Sequence, residues 1–140
     1  MNLAERCSAI EECYEFLLGY AAQGLSGDAG SSSGGQLRAL LAKAEAALIG
    51  IHEAYLQAIV DSRLEPADRY HAFLDVLDRD ARDTLAALQL VLAQPSISSQ
   101  LVDNFNASIH VRALLTDLFL IDEILKAGAD ATSAPAGARG

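Results

Sequence analysis

Leu37, Leu41, Ala44, Leu48, Ile51, Tyr55 and Ala58 alternate by four and three residues over three full heptads. A helix carrying such a stripe must lay it against other helices, because only one face of it is apolar. Leu40, Ile49, Leu56, Ile59 and Val60 widen that face. The same rhythm precedes it at Leu3, Cys7, Ile10, Tyr14, Leu17 and Ala21, and follows it at Tyr70, Leu74, Leu77, Ala81, Thr84, Leu88 and Val91. Asn2 with Glu5 has the spacing of a capping box at the start of the first helix, predicted over residues 2–24. Ser33 with Gln36 repeats it before the second. Pro66 opens the third helix at its first position, Asp68 sits near the positive end of the dipole, and Pro95 stops the helix. Ser98 or Ser99 caps a fourth. Short turns between heptad helices predict an all-α fold, an antiparallel four-helix bundle occupying residues 1–127 as one domain. Residues 26–35, SGDAGSSSGG, read as a flexible linker with nothing to bury, and residues 128–140 as a disordered tail.

The fourth helix breaks the pattern. Over Leu101 to Leu125, Leu101, Val102, Phe105 and Ile109 fall on one side of a helical wheel. Val111, Leu114, Leu118, Ile121 and Leu125 fall on the other. Either the segment kinks near residues 106–111, where Asn104, Asn106 and Ser108 interrupt the apolar run, or it stays straight and covers its second face with a partner. Both alternatives stand on the sequence. If Leu114, Leu118, Ile121 and Leu125 fill the core, then Leu115, Phe119, Leu120 and Ile124 flank or face outward, with Arg112, Thr116 and Glu123 on the ridge. Leaving three or four such side chains in water forfeits about 1.5–3 kcal/mol each, which is large beside ordinary stability margins.

Charge excludes several function classes. Nineteen acids against ten bases give a net charge of −9, and no segment gathers the bases, so neither a phosphate backbone nor an anionic membrane surface is an expected partner. The charged N-terminus does not read as a signal peptide, and the apolar run Leu118 to Ile121 is far short of a membrane span. Cys7 and Cys13, six residues apart on one helix, lie on different faces and form no disulfide framework, so the expected location is cytoplasmic.

Catalytic and cofactor patterns are missing from the sequence. There is no Glu-x-x-His pair for a di-iron centre; the nearest approach is Asp68-x-x-His71. No Gly-x-Ser-x-Gly elbow, Walker loop, dinucleotide fingerprint or c-type haem attachment motif occurs. Cys7 reads as a small core residue, and the acids around Cys13 would suppress rather than promote its ionisation. His71, Asp75 and Asp78 align on one face beside Arg79 and Arg82, as on a solvated, ion-paired surface. His52 reads as a partly buried imidazole hydrogen-bonded to a neighbour, and His110 sits where the fourth helix inverts.

No enzyme, metal or cofactor is therefore expected. The expectation is a non-catalytic interaction module, such as a chaperone-like accessory or assembly factor, that binds a protein partner or self-associates, a dimer being favoured. Its candidate contact residues are Arg112, Leu115, Phe119, Leu120, Glu123 and Ile124. The alternative is a bundle binding a ligand, haem or metal through His52, His110 or a layer of Tyr14, Tyr55 and Tyr70, whose buried hydroxyls would need partners.

Overall fold

The computed structural model describes residues 1–133, with side chains described as far as residue 128. Every regular element among the described residues is an α-helix: α1 (Leu3–Ala22), α2 (Ser32–Leu48), α3 (Ile51–Asp61), α4 (Ala67–Leu92), α5 (Ser99–Asn106) and α6 (Ile109–Ser133). The second helix, expected to be continuous, is divided, and of the two alternatives for the fourth the structure takes the break. The second splits into α2 and α3, and the fourth into α5 and α6.

The division of the second helix has a local cause. Gly50 takes a left-handed φ of 89°, which ends α2 without help from proline. Arg6, reaching over from α1, then donates through Nη1 to the carbonyls of Ala46 (3.3 Å), Ala47 (3.0 Å) and Ile49 (2.5 Å). The carbonyls orphaned at the end of α2 are thus satisfied by a charge that also suits the negative pole of the helix. A Cβ at position 50 would approach the Arg6 guanidinium to 3.3 Å. The heptad nevertheless runs through the break, since Leu48, Ile51, Tyr55 and Ile59 are all buried.

The division of the fourth helix answers its inverted stripe. α5 ends at Asn106, and the Ser108 hydroxyl accepts from the Val111 N–H at 3.4 Å as α6 begins. The turn brings Val102 and Phe105 of α5, and Val111, Leu114, Leu115, Leu118 and Ile121 of α6, into one core. Leu115, expected among the contact residues, is only 7% exposed and belongs to that core.

The segment over residues 26–35 departs from a bare linker. Ser31 is the N-cap of α2, its hydroxyl accepting from the Gly34 N–H at 3.0 Å, so the helix takes in residues 32–35. Gly34 is buried so tightly that a Cβ there would lie 1.8 Å from the Asp28 carbonyl oxygen. Asp28 itself accepts from the Ile97 N–H (2.7 Å) and from Arg38 Nε (2.5 Å). Arg38 also donates to the carbonyls of Leu92 (3.2 Å) and Gln94 (2.9 Å), tying this segment to the end of α4. The guanidinium and the Ile97 amide hold the Asp28 carboxyl down at about 2. The C-terminal end differs too. α6 continues through residues 128–133, where a disordered tail was expected, and residues 134–140 lie outside the described residues.

α1 packs on α2 and α5, and α4 packs on α2, α3, α5 and α6. The stripe of α4 is the one expected: Leu74, Leu77, Ala81, Thr84, Leu88 and Val91 are buried. That of α1 is rotated, burying Ala9, Cys13 and Tyr20 alongside Ile10 and Leu17. Tyr20 is fully buried and donates to the Ile97 carbonyl at 2.7 Å.

Candidate functional site

Once its core face is filled, α6 still presents apolar side chains to solvent. Phe119, Leu120 and Ile124 are 56%, 50% and 42% exposed, and Ile109 at its start is 75% exposed. Arg112, Thr116, Glu123 and Lys126 are exposed on the same helix, and none of the three charged groups enters an ion pair among the described residues. Five of the six expected contact residues are therefore on the surface, Leu115 being the exception. They sit together because the break at Ala107 and Ser108 commits Leu114, Leu118 and Ile121 inward, which turns the opposite arc of α6 outward.

Asp117, which the sequence reading overlooked, adjoins this surface. It is 8% exposed, and its Oδ2 has no hydrogen-bond partner. Burial, together with the facing Asp80 carboxyl of α4, pushes it up to about 7. The signal was present, since Asp117 falls three residues after Leu114 and four before Ile121, on the buried stripe. Nearby, Thr84 Oγ1 donates to the His110 carbonyl at 2.9 Å, a second polar link between α4 and α6.

The tyrosines do not form one layer. Tyr55 is fully buried and donates to Asp122 Oδ1 at 2.7 Å, with Cys7 Sγ 3.2 Å from its hydroxyl. This chain joins α1, α3 and α6. Burial raises the Tyr55 phenol, and burial raises the Cys7 thiol to about 11, so both hold their protons at neutral pH. Tyr14 instead lines a narrow, partly open pocket of about 30 Å³ with Ile10, Ala44, Leu88, Phe105 and Asn106. Tyr70 is half-buried at the edge of the core. The pocket has the volume of about one or two water molecules, far below that of a haem. The carboxamide of Asn106 on its wall is buried with neither Nδ2 nor Oδ1 partnered.

The histidines are dispersed. His52 Nε2 is buried 3.9 Å from the Asp75 carboxylate, and the expected hydrogen bond to a neighbour is not made. His71 and His110 are exposed, and Asp78 pairs with Arg82 at 3.0 Å. No group of three or more metal-ligating side chains converges among the described residues. Cys13, expected at the edge of the first stripe, is buried, which raises its thiol to about 12, with Glu12 adding to the rise. No helix among the described residues is long and apolar enough to cross a membrane.

Against this geometry, the chain matches no known protein-family model, no curated protein and no solved structure.

Proposed function

We propose that this protein is a non-catalytic interaction module that engages another protein surface through the outward face of α6. The observation that carries the reading is the adjacent exposure of Phe119, Leu120 and Ile124 on a helix whose opposite face is fully committed to the core. Covering what remains of these three side chains is worth about 3 kcal/mol, enough to hold a contact once the polar rim is matched. Arg112, Thr116 and Glu123 supply such a rim. An antiparallel bundle arrangement accompanies the proposal: Thr84 meets His110 while Asp80 meets Asp117, so α4 and α6 run in opposite senses. The free Cys7 and Cys13 suit a reducing, cytoplasmic setting. The acidic surface, at −9, favours a protein partner over nucleic acid or anionic lipid.

The test is Phe119→Glu combined with Leu120→Glu, both at exposed positions that leave the core intact. The variant should keep the wild-type circular dichroism, and the thermal midpoint of the dilute monomer, while losing its partner in native-extract pull-down, or its oligomer mass in light scattering. A wild type that is a monomer at high concentration and captures nothing would sink the reading.

A further inference from the structure

The outward residues of α6 recur at Ile109, Arg112, Thr116, Phe119, Glu123 and Lys126, alternating by three and four, and all six are exposed. This is a second heptad stripe, on the side of the helix opposite Leu114 and Ile121, which are buried in the fold. A stripe of this kind can meet its own copy in two senses. Parallel pairing sets Arg112 against Arg112, Glu123 against Glu123 and Lys126 against Lys126, three layers of like charge. Antiparallel pairing about a two-fold axis midway between Asp117 and Leu118 sets each residue against the one equidistant from that midpoint. Arg112 then faces Glu123 of the other copy, twice by symmetry. Thr116, a small side chain, faces Phe119, and Ile109 lies under the methylenes of Lys126. Sliding the helices by a heptad in either direction takes Glu123 away from Arg112 and leaves a charge facing an unlike, uncharged layer. The flank agrees as well, since exposed Leu120 falls beside the small, half-buried Ala113 of the other copy.

Resting on the reading of α6 as a contact surface, we propose that its occupant is a second copy of this chain, docked antiparallel through α6 with reciprocal Arg112–Glu123 pairs. The interface is isologous and closes on itself, giving a dimer and not a filament. Arg112 and Glu123 have no ion-pair partner within the described fold, so exchanging their charges leaves the monomer undisturbed.

Symmetry supplies the test. Arg112→Glu alone creates Glu–Glu contacts at both pairs, and Glu123→Arg alone creates Arg–Arg contacts. Each single variant should dimerise at least about tenfold more weakly than wild type in sedimentation equilibrium. An equimolar mixture of the two single variants restores both pairs across a heterodimer, and so does the double variant with itself. Both should return to within about threefold of wild type. At concentrations low enough that all are monomeric, wild-type and variant thermal midpoints should coincide. A dimeric wild type indifferent to these exchanges, or single variants not rescued on mixing, overturns this arrangement. A monomeric wild type overturns the second copy as occupant. In that case a partner captured by wild type but lost with Phe119→Glu leaves the broader reading of α6 standing, whereas capture of nothing removes both.

Discussion

A carboxyl 8% exposed with one oxygen unpartnered faces a second carboxyl, so Asp117 and Asp80 cannot both ionise without repulsion across the α4–α6 contact. Because the folded state raises Asp117 to about 7 from an ordinary 3.8, the folded protein binds a proton that the unfolded chain has released between those values. Stability from this site is therefore complete below the ordinary carboxylate range and declines as pH rises toward neutrality. Asp28 acts in the opposite sense. Held at about 2 by Arg38 and the Ile97 amide, it contributes above the ordinary range and is lost as pH falls below it. The thermal midpoint should consequently pass through a maximum at about pH 4. Asp117→Asn, which keeps the shape and removes the charge, should flatten the decline on the neutral side and raise stability at pH 8 by about 1–3 kcal/mol. A melting series across pH 3–8 for both proteins checks it, and an unchanged slope above pH 5 would refute the assignment. Both roles depend on long-range pairs, Asp80 with Asp117 and Asp28 with Ile97. Periodicity could place Asp117 on a buried stripe but could not reveal what faced it.

Two breaks set the arrangement of the helices, and they differ in how much of their cause is local. At Ala107 and Ser108 the cause lies in the segment itself: apolar residues change sides, and Ser108 stands ready to cap the next helix. That break was legible in the sequence as one of two alternatives. At Gly50 the heptad continues unbroken through Leu48, Ile51 and Tyr55, so periodicity describes one helix where two exist. Gly50 makes the turn, but what stabilises it is Arg6, about forty residues away in sequence, satisfying three carbonyls at the end of α2. The segment over residues 26–35 was misread for a related reason. Its Ser and Gly residues suggest a coil, yet Gly34 is small because the Asp28 carbonyl lies against it and Ser31 is a cap. Gly50→Ala should cost about 1–2 kcal/mol, from the left-handed φ and from displacement of the Arg6 guanidinium. Chemical denaturation of this variant should show a lower midpoint with an unchanged slope, and a neutral result would show that α2 and α3 tolerate a different junction.

For the whole molecule, the proposed dimer brings together two bodies of net charge −9. At a centre separation of about 30 Å, suited to domains of this size, their unscreened repulsion in water is on the order of 10 kcal/mol. At 0.15 M salt, with a Debye length of about 8 Å, it falls below about 1 kcal/mol. The reciprocal Arg112–Glu123 pairs work the other way, but exposed pairs contribute only about 0.2–1 kcal/mol each and lose a fraction of that on screening. Relief of the net repulsion therefore outweighs the weakening of the pairs. Dimerisation should tighten as sodium chloride rises from about 20 to 300 mM, by on the order of tenfold or more. Contacts held mainly by charge pairs would loosen over the same range, so the sign of the salt dependence separates an apolar contact centred on Phe119 and Leu120 from one carried by Arg112 and Glu123. The comparison becomes sharper with the double exchange of Arg112→Glu and Glu123→Arg, which has the same net charge as wild type. Its salt response should match the wild-type response, because the term that dominates belongs to the whole surface. Loosening with added salt in either protein would show that the charged layers, and not the apolar ones, hold the two copies together.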